Sequence, residues 1–165
     1  PFLFLSCSLK EGEELDIENI VPEFVFSNAK MTRYENNSVT LELNAETIEQ
    51  YKNSSQTFAK EVEFSSYEKN KLTTEGSCDY ISANTDEELY SLYGNIEIYS
   101  KDQNVNFFAD ELKWNAKTNQ LIGGKSDTAR IEKDNTVIIG SGFAASGVSG
   151  KFSFSGSVSG DIETE

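Results

Sequence analysis

A strand-turn-strand unit recurs along this chain about every 33 residues, and each copy carries a small residue after its polar turn. Those residues are Ala45, Gly76, Ala109 and Gly142, spaced 31, 33 and 33 positions apart. The four copies, residues 31–45, 62–76, 96–109 and 129–142, share one plan: an alternating apolar and polar run, a turn, then a second alternating run. Alternation of period two belongs to strands. A fixed period of this length means a stack of similar β-hairpins, because one such unit cannot bury its apolar face alone.

Turn signals arrive at close to 16-residue spacing, at 35–38, 52–55, 68–70, 84–86, 101–104, 116–119, 133–136 and 149–150. They are rich in Asn, Asp, Ser and Gly, which tolerate left-handed backbone and hydrogen-bond their own main chain. The chain is expected to fold back about nine times. Its two prolines are Pro1 and Pro22, so nothing from residue 23 onward removes a ladder donor. Residues 44–51 offer the one helical spacing, Ile48 with Tyr51, but their place in the repeat predicts a strand.

Alternation puts Leu41, Leu43 and Ala45 on one side and Thr40, Glu42 and Asn44 on the other. The same reading pairs Val62 with Phe64, Ile96 with Ile98, Val105 with Phe107 and Ala109, Val137 with Ile139, and Phe152 with Phe154. A one-sided apolar face predicts an all-β antiparallel sheet with one wet surface, closed over an interior. With eleven Phe, seven Tyr and one Trp, that interior has to be wide enough for rings.

The length of 165 residues fits one domain. A net charge of −14 argues against nucleic-acid binding and against electrostatic adhesion to an anionic bilayer. The absence of histidine removes the usual general base and the commonest transition-metal ligand. Asp110 and Glu111 are adjacent in a predicted strand and point to opposite faces, so they cannot act as a carboxylate pair. No catalytic residue, metal or cofactor is expected. Cys78, in a strand, reads as a buried small apolar side chain, and Cys7 and Cys78 do not make a zinc site.

Residues 1–7 are apolar and end in a small residue before Cys7, which is how a secretory signal closes. A Cys at that point resembles a bacterial lipoprotein processing site, although Phe4 stands where Leu is usual. The alternative is that residues 2–5 form a buried strand end and Cys7 is an ordinary small hydrophobe. The lipidated reading is preferred because residues 9–16 are acidic and turn-rich, as a tether would be. The expected organisation is a truncated signal segment at 1–7, a tether at 8–22 and a β-domain at 23–162.

Three stretches carry a family resemblance: Leu92-Tyr-Gly-Asn-Ile-Glu-Ile98, then Val105-Asn-Phe-Phe-Ala-Asp-Glu-Leu-Lys-Trp-Asn115 with Asn119-Gln-Leu121, and finally Ile138-Ile-Gly-Ser-Gly-Phe143. Their order and spacing, from about residue 23 to 162, resemble the LptC and LptA (OstA-like) proteins of bacterial lipopolysaccharide export, LptC more closely because of the anchored N-terminus. The resemblance implies a twisted antiparallel β-jellyroll built from stacked hairpins, open along a seam, whose apolar trough shields acyl chains. It also implies lipopolysaccharide or a related glycolipid as cargo, with an LptA-like periplasmic bridge protein and an inner-membrane ABC-transporter complex as partners. The implied place is the periplasm, anchored to the inner membrane, here through lipidated Cys7 where many relatives keep a transmembrane helix.

The candidate trough residues are Leu41, Leu43, Phe64, Ile96, Ile98, Phe107, Trp114, Ile139 and Phe143, each of which could equally be plain core. Phe152, Phe154 and Val158 are the candidate partner strand edge, where the Ser- and Gly-rich composition also fits a frayed end. Gly94, Gly140 and Gly142 read as bulges or sharp bends. A structural or adhesive envelope lipoprotein with no lipid cargo is the competing class.

Overall fold

A computed structural model describes residues 21–51, 55–124, 127–146 and 151–162. Cys7, most of the tether and parts of the turns near 52–55 and 149–150 lie outside the described residues. Twelve strands occur among them: β1 (Phe24–Glu35), β2 (Ser38–Gln50), β3 (Gln56–Glu68), β4 (Lys71–Asn84), β5 (Leu89–Ser100), β6 (Val105–Asn115), β7 (Gln120–Gly123), β8 (Thr128–Lys133), β9 (Thr136–Ser141), β10 (Phe143–Ser146), β11 (Lys151–Phe154) and β12 (Val158–Ile162). All pairings are antiparallel. The fold is an open, all-β antiparallel sheet of the jellyroll kind.

Its topology is a meander. β1 to β6 pair in sequence, then β7 continues along the C-terminal half of β6 and β8 along its N-terminal half. β10 and β9 line up next, against β7 and β8 respectively, and β11 and β12 close the series. The 44–51 stretch is strand, as its place in the repeat requires. Turns at 36–37 and 69–70 have positive φ at both central residues, Asn36 and Asn37 (49° and 63°) and Lys69 and Asn70 (52° and 63°), the primed geometry that matches strand twist in two-residue hairpins.

Each long strand is interrupted near its middle, in addition to the register shifts at Arg33/Tyr34 and Ser66/Tyr67 beside the hairpin turns. The pairing of β1 with β2 steps from Ser27↔Thr47 to Ala29↔Ala45, leaving out Asn28 and Glu46. The next two ladders leave out Glu61 and Asp79 in the same way, and those of β5 step around Gly94, Asn95 and Asp110. Asn28, Glu61, Gly94 and Asn95 take positive φ there. In β1 to β4 and in β6 one extra residue shifts the alternation by one, so the core-facing parity changes, as a β-bulge does when a strand turns a corner. In the later strands the same line falls at Gly142, between β9 and β10, and at residues 155–157, between β11 and β12.

The sheet is thereby folded along its midline into two half-sheets that share a core. One half contributes Leu43, Val62, Ile96, Phe107 and Ile131, and the other Ala59, Leu92, Leu112 and Phe143. Val62, Ile96 and Leu112 are the most completely enclosed large side chains, and each contributes about 1.5–3 kcal/mol by leaving water. One of the repeat's small anchors is also explained. Gly76 sits under the Phe64 ring, where a Cβ would come within 2.4 Å of Cζ and 2.8 Å of the Glu97 carbonyl oxygen.

Candidate functional site

The inner face is arranged in rows that run across the strands. The ladders align Met31, Leu43, Phe64, Gly76, Ile98, Phe107, Ile131 and Ile138 in one row of the first half-sheet. In the second half-sheet Phe26, Ile48, Ala59, Ile81, Leu92 and Leu112 form the matching row. The two rows face each other across one apolar interior, continuous from β1 toward the last strands, with most of its middle residues buried.

Toward the mouth, the lining becomes more polar. The outermost inner-face row of the first half runs Arg33, Leu41, Ser66, Thr74, Ser100 and Val105. Across from it run Gln50, Thr57, Ala83, Tyr90 and Trp114. The Arg33 guanidinium reaches over the mouth and donates from Nη2 to the Tyr90 hydroxyl at 3.0 Å.

The sequence-derived trough residues divide into three groups. Leu43, Ile96, Phe107 and Phe143 are buried in the shared core, with Phe64 and Ile98 packed against it. Leu41 and Trp114 lie on the rim rows, partly exposed. Ile139 does not line the trough: it pairs with the outward Arg130 and is 36% exposed, while its neighbour Ile138 faces the core opposite buried Ile131. The alternation assigned to Val137 and Ile139 is one residue out of phase, because Gly140 rather than Ile139 shares the inner face with Ala129.

Reasoning from sequence missed most of the second half-sheet's lining, Ile48, Ala59, Ile81, Leu92 and Leu112. The missing signal was the break in period at polar residues such as Glu46, Glu61, Asp79 and Asp110. Each lies where two apolar positions are three residues apart, as in Ala45 to Ile48 and Ala59 to Val62.

Both edges of the sheet are unpaired among the described residues, β1 on one side and β11 and β12 on the other. Apolar lining runs out to these edges uncovered. Phe24, Phe26 and Met31 of β1 are about half exposed (50%, 52% and 44%), as are Phe152 and Val158 at the other end. Phe154 is more protected, since its ring packs near Phe143 and covers Gly140. Gly142 and Gly94 take positive φ, at the fold line and within the bulge of β5, whereas Gly140 lies in regular pairing and is small because a Cβ would come within 2.6 Å of the Phe154 ring.

A second concavity lies along the outer side of the fold line. It has a volume of about 500 Å³ and is lined by polar and apolar surface in similar measure, with Glu46, Glu61, Glu63, Asp79 and Asn95 among the polar residues. Asn95 donates from Nδ2 to Asp79 at 2.9 Å. Cys78, at its inner wall, is 4% exposed, and burial first, then the Asp79 carboxylate, pushes its thiol up to about 12. Among the described residues no group of three or more His, Cys, Asp or Glu is placed to hold a metal ion, and no helix is long and apolar enough to cross a membrane.

No curated protein matches the chain. The model of one family does, the lipopolysaccharide-assembly, LptC-related family, over residues 3–163. This chain, an open antiparallel sheet folded around an apolar interior and matched over nearly its whole length by that model, belongs to the LptC-related family, whose members are periplasmic, inner-membrane-associated components of lipopolysaccharide transport.

Proposed function

We propose that this protein takes up the acyl chains of lipopolysaccharide, or of a related amphipathic glycolipid, in its folded trough and hands them on by edge-to-edge assembly with partner β-jellyrolls. The observation that carries this reading is the apolar inner face that runs out to two unpaired strand edges, with Phe24, Phe26 and Met31 half exposed at one of them. In water each exposed methylene of an acyl chain costs about 0.8 kcal/mol, and a lining of Leu, Ile, Val and Phe offsets that cost through contacts that are weak enough individually to release. A partner strand laid against β1 would satisfy its free backbone groups and extend the lining in the same step.

On this reading β1 or the β11 and β12 edge receives an LptA-like bridge protein, and the other meets the inner-membrane ABC-transporter complex. Phe152, Phe154 and Val158 belong to the second of those edges. Cys7 carries the lipid anchor, with residues 8–22 as its tether. Its test is the mass of the mature N-terminus, which carries diacylglycerol in the native protein and not in Cys7→Ser.

The trough is tested by placing a photo-crosslinking residue at Ile98, Phe107 or Trp114 in cells. Attached glycolipid at these positions, and none at the outward Ile139, is the expected result. A folded protein with no lipid adduct at any inner position would exclude the carrier and leave a structural envelope protein.

A further inference from the structure

We infer that Arg33, at the mouth of the trough, recognises an anionic headgroup, a phosphate or carboxylate, on the lipid whose chains lie beneath it. This rests on the trough reading and adds to it the headgroup chemistry and the residue that selects it.

The gradient of the inner face supplies the first argument. Below the mouth the rows are apolar, from Met31 through Leu43, Phe64 and Ile98 to Phe107. One row higher, between Leu41 and Val105, Ser66, Thr74 and Ser100 present hydroxyls, and Arg33 ends that row. An amphiphile with its tails in the lower rows would place its polar end at the upper one.

Charge supplies the second. The chain carries 28 acidic and 14 basic residues, and Lys30, Lys60, Lys71, Lys101, Lys113 and Arg130 all pair with carboxylates. Lys69, Lys117, Lys133 and Lys151 have no such partner among the described residues, and neither has Arg33. It is held instead by a neutral phenol, Tyr90, from the opposite half-sheet. That contact occupies one donor of five, positions the guanidinium over the trough and leaves its charge uncompensated. Guanidinium binds phosphate and carboxylate through paired hydrogen bonds, which a solvated lysine does less well. The net charge of −14 repels anions at long range, so any preference for an anionic lipid has to come from a local group of this kind.

The test compares dodecyl phosphate with dodecyl maltoside, below their critical micelle concentrations, by calorimetric titration of the purified protein. Wild type is expected to bind the phosphate about tenfold more tightly, as a charged hydrogen bond at a partly solvated site allows. Arg33→Gln should lose that preference while keeping its affinity for the maltoside. Arg33→Lys should retain part of it, and Tyr90→Phe, which removes the contact that positions the guanidinium, should weaken it without abolishing it. Preference unchanged in Arg33→Gln would overturn the assignment and leave the trough standing. Inorganic phosphate binding as tightly as dodecyl phosphate would overturn it too, by marking a site for a free anion. If neither amphiphile binds wild type, the trough reading fails and this inference fails with it.

Discussion

Phe107 on β6 and Phe143 on β10 meet with ring centroids 4.6 Å apart and ring planes at 48°, joining the two half-sheets at the end of the molecule where β6 gives way to the shorter strands. Phe143 also lies within 5.6 Å of the Phe154 ring. The pair closes the core beside the stretch of the fold line where Ser155 and Gly156 donate their backbone N–H groups to the Gly142 and Ser141 carbonyls. Phe143→Ala is expected to cost about 3–5 kcal/mol, the range for removing a buried ring, and Phe143→Leu well under half of that. Urea denaturation of both variants measures this. Loss of the Phe143 ring at a cost of less than about 1 kcal/mol would mean that the halves are not held together here.

Gly76 and Gly140 both lie under aromatic rings, but they should respond differently to a methyl group. At Gly76 a Cβ meets the Phe64 ring and also the Glu97 carbonyl oxygen, and the backbone atom cannot swing away. At Gly140 the nearest atoms all belong to Phe154, which is only partly enclosed and can rotate outward. Gly76→Ala is therefore expected to destabilise by about 1–3 kcal/mol and Gly140→Ala by distinctly less. Thermal melts of the two single variants decide the order, and Gly140→Ala proving the more damaging would refute the account.

Much of this fold could be read from the sequence because the hairpins are local. The turn at 69–70 follows from Glu68-Lys-Asn70, and the strand at 38–50 follows from the position of Ala45 in the repeat, with no tertiary information. The fold line could not be read so directly. Its residues, Asn28, Glu46, Glu61, Asp79 and Asp110, look like ordinary members of the polar face until the apolar positions on either side are counted. The phase of β9 was lost for a related reason. Val137, Ile138 and Ile139 are all apolar, so composition does not distinguish inside from outside, and the choice is made by pairing with Ala129 and Ile131 of β8. Arg33 was hidden too, because its partner Tyr90 is 57 residues away across the trough.

Glu61 takes φ 49° at the fold line, where the same column of alternate strands holds Asn28 and Asn95, at 49° and 45°. Left-handed backbone costs an ordinary L-residue about 1–2 kcal/mol, and Asn is among the few side chains that adopt it routinely. Glu61→Asn is expected to stabilise the protein by about 0.5–1 kcal/mol, measured by chemical denaturation. The reverse change, Asn28→Glu, should destabilise by a similar amount. A Glu61→Asn variant no more stable than wild type would show that the Glu61 side chain holds the bend through contacts of its own.

Cys78 links burial in the core to the behaviour of the protein in alkali. Its thiol is pushed from an ordinary value near 9 up to about 12 in the folded state. A group whose folded value is raised stabilises fully below the unfolded value, and that contribution is lost as pH rises between the two. Cys78 therefore costs nothing at neutral pH, and from about pH 9 upward it favours the unfolded chain, which ionises first. In a Cys7→Ser background, unfolding free energy should fall more steeply between pH 9 and 11 with Cys78 present than in Cys78→Ala, although the Ala variant starts lower because it leaves a small cavity. Iodoacetamide should also leave Cys78 unmodified at pH 8 in the folded protein and label it readily in urea, since only 4% of the residue is exposed. Rapid labelling without denaturant, or parallel pH profiles for the two variants, would place this thiol in contact with solvent and open the core at the fold line.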